Sequence, residues 1–441
     1  MAMVVKNNMS AISTLNTLNK NSSALSKSLQ KVSSGMKINS AADDASGYAI
    51  SERMRVQIRG LDQANSNTQN GTSMMKVAEG AVSSTVDILK TLKEKVINAA
   101  NDSNTDSDRA TIQKELDQSI DQINDNANVT FNGKYLVDGS KNAAVTQTTT
   151  AMTNESLNST TKWDTALTAM TDRNGNSLNI NSTYSISVSF VNEGTTYTTS
   201  VQIGSKGLND LLTKSAIGGG STVAISKYMK TSGSSAIIGK DIAGDTVYTA
   251  DRGNALTIQA ATSGVAGQIS GVTFAVTNTQ GAEQKSINAV LDNFSESVRA
   301  QNKSADNAIS LQIGTKANQS IKVGLTDMRA EALGLQSSTG ATIQIGTQKQ
   351  ANAAINVLDN AVQKALDQQT TIGSVESRLE YTSSNLTTAS ENVQSSESTI
   401  RDADMAKEMT EYTKNNVLLQ AAQSMLSQAN QNSSSVLSLL Q

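Results

Sequence analysis

Residues 11–32 read AISTLNTLNKNSSALSKSLQKV, and one set of their positions recurs in alternating steps of three and four. That set is Ala11, Leu15, Leu18, Ser22, Leu25, Leu29 and Val32. Residues 418–439 read LLQAAQSMLSQANQNSSSVLSL and repeat the spacing at Leu418, Ala422, Met425, Ala429, Asn432, Val436 and Leu439. This spacing is typical of a coiled-coil seam, where each side chain fills a hole on a facing helix. Since neither end is expected to carry a second apolar face, we predict that the ends pair with each other, with further copies of the chain, or with both.

The composition restricts the chemistry that the chain can perform. Its 441 residues include no His and no Cys, so a Ser-His triad, a cysteine nucleophile and the usual zinc sites are excluded. No spacing of carboxylates or lysines indicates another catalytic centre. We therefore predict an assembling structural protein that is not an enzyme and that holds neither a metal nor a cofactor.

Charge and hydropathy exclude two further classes of partner. The formal net charge is −3, which argues against a general role in binding nucleic acid. No apolar run reaches the roughly 18 residues of a membrane span, so we predict no membrane insertion. The first residues, MAMVVKNNMSAIS, lack the apolar stretch of a cleavable signal peptide, so a secreted chain would need another export route.

Helical spacing extends well beyond the two ends. Residues 75–99 place on one face Met75, Ala78, Val82, Thr85, Leu89, Leu92, Val96 and Ala99. After a polar break, a second face holds Ile112, Leu116, Ile120, Ile123 and Ala127. The longest periodic segment, residues 347–400, has a row formed by Leu358, Ala365, Ile372, Leu379, Leu386, Val393 and Ile400. Such a helix would span roughly 75 Å and needs a partner along its length, for which the 75–99 helix is the candidate.

The middle of the chain has a different pattern. Ser, Thr, Gly and Asn dominate residues 141–284, and apolar residues alternate with polar ones on both sides of the turn at residues 192–194. The alternating residues are Tyr184, Ile186, Val188 and Phe190, then Tyr197, Thr199, Val201 and Ile203. This pattern predicts a β-hairpin in a β-rich region. Residues 311–314 and 321–324 read as two short strands. Helical spacing returns at Ile287, Leu291, Phe294 and Val298.

On several long stretches the chain resembles bacterial flagellin, the subunit of the flagellar filament. The N-terminal motif is SLQKVSSGMKINSAADDASGYAISERMRVQIRGL at residues 28–61. The C-terminal motifs are SRLEYTSSNL at 377–386, ESTIRDADMAKEM at 397–409 and LLQAAQSMLSQANQ at 418–431. FNGKYLVDG at 131–139 and LQIGTKANQSIKVGLTDMRAEALGL at 311–335 are also similar to flagellin. The resemblance covers about residues 1–140 and 308–441.

The resemblance implies a mainly α fold with an inserted β-rich domain, in which long antiparallel helices from both termini form coiled-coil inner and outer layers. Residues 1–43 and 401–441 would be inner-tube helices. Residues 44–140, with a β-hairpin, and 308–400 would form the outer-tube domain, and residues 141–307 the surface insert. Flagellins often carry their insert after the segment matching 311–335, whereas here it comes before that segment.

Two sets of residues would then carry assembly. Polymerisation would depend on Leu15, Leu18, Leu25, Leu29, Val32, Leu418, Ala422, Met425, Ala429, Val436 and Leu439. Packing of the outer-tube helices would depend on Leu358, Ile372, Leu379, Leu386, Val393 and Ile400. The ends of a free subunit would order against neighbouring subunits, giving an open helical polymer that serves swimming motility.

The resemblance also implies partners and a location. The partners would be further copies of the chain, an export chaperone and the export apparatus, the tip cap and the hook-junction proteins, and the location would be the extracellular filament. Two alternatives stay open, namely a low-copy hook-filament junction protein and a surface adhesin that acts through the insert. The Ser/Thr density of the insert fits either O-glycosylation or an ordinary polar surface.

A last implication concerns innate immunity. Flagellins that are sensed by a vertebrate Toll-like receptor carry an arginine at the position of Thr91, whereas the acid at Glu115 is retained. The receptor-contact region, by resemblance, comprises Leu89, Thr91, Leu92, Glu94 and Glu115. Because loss of a central interface arginine typically costs about 2–4 kcal/mol, we expect weak or absent receptor activation.

Overall fold

The computed structural model describes residues 8–439, without the side chains of residues 232–234, 433 and 436–439. Its internal contacts divide the chain into two units. The first unit comprises Met1–Thr68, Gln312–Gln319 and Tyr381–Gln441, and the second comprises Gln69–Leu311 and Ser320–Glu380. The two units are described separately.

Helices dominate both ends of the chain and strands dominate its middle. The helices are α1 (Met9–Ser34), α2 (Ala45–Ala99), α3 (Asp106–Ala127), α4 (Leu208–Leu212), α5 (Lys285–Leu291), α6 (Ala330–Leu333), α7 (Gln348–Arg401) and α8 (Met405–Leu439). The strands up to residue 235 are β1 (Thr130–Phe131), β2 (Lys134–Tyr135), β3 (Ala151–Asn154), β4 (Ser185–Asn192), β5 (Thr195–Gln202), β6 (Ser215–Gly218), β7 (Ser221–Ala224) and β8 (Met229–Ser235). The later strands are β9 (Ile237–Lys240), β10 (Thr246–Tyr248), β11 (Ala255–Ala260), β12 (Ile269–Thr277), β13 (Phe294–Val298), β14 (Ile309–Gln312) and β15 (Ser320–Val323). The predicted fold class, helical termini around a β-rich middle, is confirmed.

In the first unit, α1 and α8 run antiparallel. The side-chain amide of Asn8 donates to the backbone carbonyl of Ala429 at 3.2 Å, and the side-chain amide of Asn21 donates to the backbone carbonyl of Leu418 at 3.2 Å. As the chain advances along α1, its contacts therefore move backwards along α8. Helix α1 is capped at its C-terminus by Gly35, whose φ of 72° suits a residue without a side chain and whose N–H donates to the Lys31 carbonyl.

The first unit also holds the start of α2 and the end of α7. Asp44 begins α2, because its carboxylate accepts from the backbone N–H groups of Ser46 and Gly47, both at 3.0 Å. Further along, the hydroxyl of Ser390 donates to Asp62 at 3.0 Å. The small apolar cluster beside these polar contacts is formed by Leu61, Ala64, Leu386, Ala389 and Val393.

In the second unit, the helical faces predicted from the sequence are buried. All eight residues predicted on the 75–99 face are at most 1 % exposed. On α3 the same holds for Leu116, Ile120, Ile123 and Ala127, whereas Ile112 is half-buried. Thr105 begins α3 through a capping box, in which its hydroxyl accepts from the N–H of Asp108 and the Asp108 carboxylate accepts from the N–H of Thr105.

The β-rich part of the second unit is built on two antiparallel sheets. One has the strand order β13-β3-β11-β8 and the other the order β12-β4-β5-β6-β7. The predicted hairpin is confirmed as β4 and β5, in which Phe190 lies opposite Tyr197. Its turn residues Glu193 and Gly194 have φ values of 46° and 71°, which is the geometry of the tight hairpin turns that favour Gly.

The helical interpretation of residues 287–298 is wrong in its second half. Helix α5 contains Ile287 but ends at Leu291, and Phe294–Val298 form strand β13. Pairing with β3 decides the conformation, because β13 lies antiparallel to that fully buried strand, with Phe294 opposite Asn154 and Val298 opposite Ala151. Four apolar residues at steps of three and four are too short a pattern to specify a helix when a strand partner is available. The two short strands predicted near 311–314 and 321–324 are present as β14 and β15.

None of the helices within residues 8–439 is long and apolar enough to cross a membrane.

Candidate assembly surface

Helix α1 turns a partly polar side towards α8. The half-buried or buried residues along it are Ala11, Thr14, Leu18, Asn21, Ala24, Leu25, Ser28, Lys31 and Val32. Two of the polar members hold the helices in place, since Asn21 donates to the Leu418 carbonyl and the Ser28 hydroxyl accepts from Asn415 at 3.0 Å. Ser28 is buried and a buried polar group needs a hydrogen-bond partner, so its bond with Asn415 helps to fix which side of α1 faces α8.

The way α1 is turned about its own axis leaves part of its predicted seam exposed to solvent. Leu18, Leu25 and Val32 belong to the side that faces α8. Leu15 and Leu29 do not, and they are 45 % and 52 % exposed. Ile12, outside the predicted seam, is also exposed on this helix. The chain therefore carries apolar side chains that α8 does not cover.

On α8, too, the buried side differs from the predicted seam. Ala422 is buried and Ala429 half-buried, as predicted for seam positions, but Leu418 is 42 % and Met425 63 % exposed. Their neighbours Leu419 and Leu426 take the half-buried places instead. The side chains of Val436 and Leu439 lie outside the described residues.

The expectation that neither end carries a second apolar face is therefore wrong. The exposed apolar residues of the two helices, called here the terminal apolar surface, are Met9, Ile12, Leu15, Leu29, Met405, Met409, Val417, Leu418 and Met425. Part of it forms a shallow groove of about 580 Å³ along Met409, Thr413, Val417 and Leu418. A run of large apolar side chains left in water on one helix pair is typical of an interaction surface.

A buried arginine links the segment that follows α1 to the segment that precedes α8. Arg401, whose side chain is 7 % exposed, donates to the Glu52 carboxylate at 2.7 Å and lies over the Tyr48 ring. Its hydrogen bond holds the pKa of Glu52 below the usual value. The Lys37 N–H donates to the Arg401 carbonyl at 2.8 Å, next to a bridge between Met36 and Asp402. We call these contacts the Arg401 clasp.

The sequence reading missed the Arg401 clasp. Arg401 and Glu52 are 349 positions apart, and neither belongs to an apolar row. The available signal was that both lie inside the flagellin-like motifs, at 397–409 and 28–61.

The residues predicted to pack the outer-tube helices are buried towards the start of α7 and less so towards its end. Leu358, Ile372 and Leu379 are fully buried, and Leu386 is 9 % exposed. Val393 and Ile400 are half-buried. These placements are compatible with a packing row along α7, and the outer-tube assignment stays a prediction.

The region predicted to contact an immune receptor separates into buried and exposed residues. Leu89 and Leu92 are at most 1 % exposed, so these side chains support the helix from within rather than present a contact. Thr91, Glu94 and Glu115 are exposed. The Thr91 hydroxyl donates to the Asp87 carbonyl, and Glu115 pairs with Lys95 at 3.0 Å. Any direct contact would therefore come from the exposed three.

Within the described part of the chain, no group of three or more Asp, Glu, His or Cys side chains is arranged to hold a metal ion.

Comparison with known proteins agrees with the motifs. Residues 5–142 match the family model of the bacterial flagellin N-terminal helical region, and residues 355–440 that of the C-terminal helical region. The chain is 34 % identical to a flagellin of Clostridium tyrobutyricum over 433 residues, which cover 97 % of this chain and 99 % of that protein. It is 31 % identical to a flagellin of Bacillus subtilis (strain 168) over 458 residues, covering 99 % and 100 %. The solved structure of FlgL from Xanthomonas campestris covers 79 % of this chain and 99 % of its own at 15 % identity, with a TM-score of 0.32, which is too low to bear on function.

Proposed function

The chain belongs to the bacterial flagellin family, and from this premise we propose that it polymerises into a flagellar filament through the terminal apolar surface of α1 and α8. The family is one of structural filament subunits, which agrees with a chain that lacks the His and Cys needed for a Ser-His triad or a cysteine nucleophile.

The observation that carries the proposal is the apolar surface that the α1–α8 pair leaves open. Leu15, Leu29 and Met425 remain roughly half in water although their helices are already paired. A different part of a neighbouring copy would cover them, and such a heterologous contact, when it repeats without closing, generates a helical filament. Leu18, Leu25, Ala422 and Ala429 would instead hold the two helices of one subunit together.

The test is seeded polymerisation of variants that place a charge on this surface. We expect Met425→Asp to abolish filaments seen by electron microscopy and to leave a soluble subunit, because a carboxylate cannot be buried unpaired at low cost. Ser424→Asp is the matched control, since it adds the same charge at the neighbouring exposed position. Filaments of normal length from Met425→Asp would refute the proposed surface. If wild-type subunits form no filaments on seeds, a low-copy junction role replaces the filament role.

Partners and location follow from the family rather than from contacts in the structure. We propose that the protein lies in the extracellular filament, next to hook-junction proteins and a tip cap, after passage through an export apparatus with a chaperone. Deleting the export apparatus in the producing cell should retain the chain inside the cell. Normal secretion in that strain would contradict this part of the proposal.

Weak activation of the flagellin-sensing Toll-like receptor is a further part of the proposal. It is supported by Thr91, which is exposed on α2 where sensed flagellins carry an arginine. Thr91→Arg should raise potency in a reporter-cell assay by about tens-fold or more. Lys90→Arg, at the neighbouring exposed position, is the control that should leave potency unchanged. Full potency of the wild-type chain would refute the idea.

A further inference from the structure

Two tyrosines of the β-rich region meet at their hydroxyl groups. The phenolic oxygens of Tyr197 and Tyr228 lie 3.0 Å apart, while their ring centroids are 4.9 Å apart and their planes are inclined by 37°. The rings therefore converge towards their hydroxyl ends, which brings together the ortho carbons beside each oxygen. Of the chain's eight tyrosines, no other two rings make contact within residues 8–439.

The surrounding structure holds both rings in this arrangement. Tyr197 pairs across the hairpin with Phe190, which is fully buried and stacks on it at a centroid distance of 5.3 Å. Phe190 also contacts the Tyr228 ring, at 5.9 Å. On another side, a Cβ added at Gly218 would lie 2.5 Å from Cδ1 of Tyr197, so this ring rests directly on backbone. The Tyr228 carbonyl accepts from the Ala261 N–H at 2.7 Å.

Small molecules can reach the pair. Tyr197 and Tyr228 line an open cavity of about 350 Å³, whose wall also includes Glu193, Lys227 and Thr262. Burial and the hydrogen bond with Tyr228 raise the pKa of Tyr197 to about 12. Tyr197 therefore keeps its proton at neutral pH, and an oxidant must remove that proton together with an electron.

We propose that Tyr197 and Tyr228 form a dityrosine cross-link within one chain when the protein meets a haem peroxidase acting on hydrogen peroxide. Each phenol loses one electron and its hydroxyl proton, which leaves a phenoxyl radical with spin density on the ortho carbons. The two radicals join through a new carbon–carbon bond between ortho carbons. The two ortho hydrogens then move to the oxygens and restore both rings. The two electrons and two protons released reduce one hydrogen peroxide to two waters.

The cross-link would join the two sheets of the β-rich region. Tyr197 lies on β5 of the five-stranded sheet, and Tyr228 directly precedes β8 of the four-stranded sheet. The chain has no cysteine, so it cannot use a disulfide for this purpose. Its one tryptophan, Trp163, is only 5 % exposed and is therefore less accessible to an oxidant than the two half-buried phenols.

The test is oxidation of the full-length chain at low protein concentration with peroxidase and limiting hydrogen peroxide. We expect dityrosine fluorescence in the monomer band of a denaturing gel and an intact mass lower by two hydrogens. Trypsin should then release residues 174–206 covalently bound to residues 228–230, because it cleaves after Arg173, Lys206, Lys227 and Lys230. Absence of dityrosine in the wild-type monomer, or cross-links located only at other tyrosines or between chains, would overturn the proposal.

Three variants complete the experiment. Tyr197→Phe and Tyr228→Phe keep the ring packing and remove one phenol, and each should reduce monomer fluorescence to background. Tyr248→Phe removes a tyrosine that is 48 % exposed and should leave the cross-link intact. Circular dichroism before oxidation checks that all three remain folded. An undiminished cross-link in Tyr228→Phe would also overturn the proposal.

Discussion

Trimming the terminal apolar surface should weaken filament assembly by an amount that its exposure predicts. The variant combines Leu15→Ala, Leu29→Ala and Met425→Ala, whose side chains are 45 %, 52 % and 63 % exposed in the subunit. Full burial of such a side chain contributes about 1.5–3 kcal/mol, so covering the exposed parts of all three contributes about 2.5–5 kcal/mol. Since each 1.4 kcal/mol is about tenfold, the critical concentration should rise by roughly two to three and a half orders of magnitude.

The assay is sedimentation of seeded filaments over a range of subunit concentrations, from which the critical concentration follows. Leu15→Ala alone should raise it about three- to tenfold, because only its exposed fraction is newly buried. The control combines Thr17→Ala, Ser26→Ala and Ser424→Ala, which remove exposed polar groups from the same helices. A triple apolar variant within twofold of wild type would refute the argument that these side chains are covered in the filament.

Three stability measurements test the second unit. Burial raises the pKa of Glu296 from 4.5 to about 7. The contribution of Glu296 to folding stability is therefore full below pH 4.5 and is lost as pH rises towards 7, so the melting temperature should decline over this range in wild type and not in Glu296→Gln. The same decline in the variant would contradict this. Burial lowers the pKa of Lys364 from 10.5 to about 8. The melting temperature should therefore rise with pH between about 8 and 10.5 in wild type and not in Lys364→Met. Equal slopes of melting temperature against pH in the two proteins would contradict this. Arg109 donates to the carbonyl of Ala99, the last residue of α2, and to that of Asn101 just after it. Arg109→Ala should therefore lower the free energy of unfolding in urea by about 2 kcal/mol, and Arg109→Lys should recover part of the loss. An unchanged free energy of unfolding in Arg109→Ala would contradict this.

The sequence predicted the long helices of the second unit well because their patterns were redundant. The 75–99 face had eight members at consistent spacing, and each of them is buried. The hairpin at 185–202 was equally well specified, since alternation on both strands and a Gly-containing turn agreed. In both places local propensity and tertiary packing favour the same structure, so a pattern in the sequence was sufficient.

Periodicity alone could not predict the rotation of α1 and α8. Adjacent apolar residues occur on α8 at Leu418 and Leu419 and again at Met425 and Leu426, so two registers fit the same heptad spacing. The choice between them depends on hydrogen bonds with residues nearly 400 positions away, such as Asn415 with Ser28. Such partners are visible only once the helices are placed side by side. The same reason explains why the pairing of Arg401 with Glu52 was missed.

The doubled apolar rows of α8 explain how one helix can serve two partners. Leu419 and Leu426 lie on the side towards α1, while Leu418 and Met425 remain available to a neighbouring subunit. The side of α1 that faces α8 contains Asn21 and Ser28, so the contact within one subunit is only partly apolar. Helices that bury a narrow apolar face are marginal in water, because packing supplies most of their stability. Pairing within a subunit and pairing between subunits are therefore not alternatives. The first aligns the two helices through hydrogen bonds, and the second supplies the burial that the aligned pair still lacks.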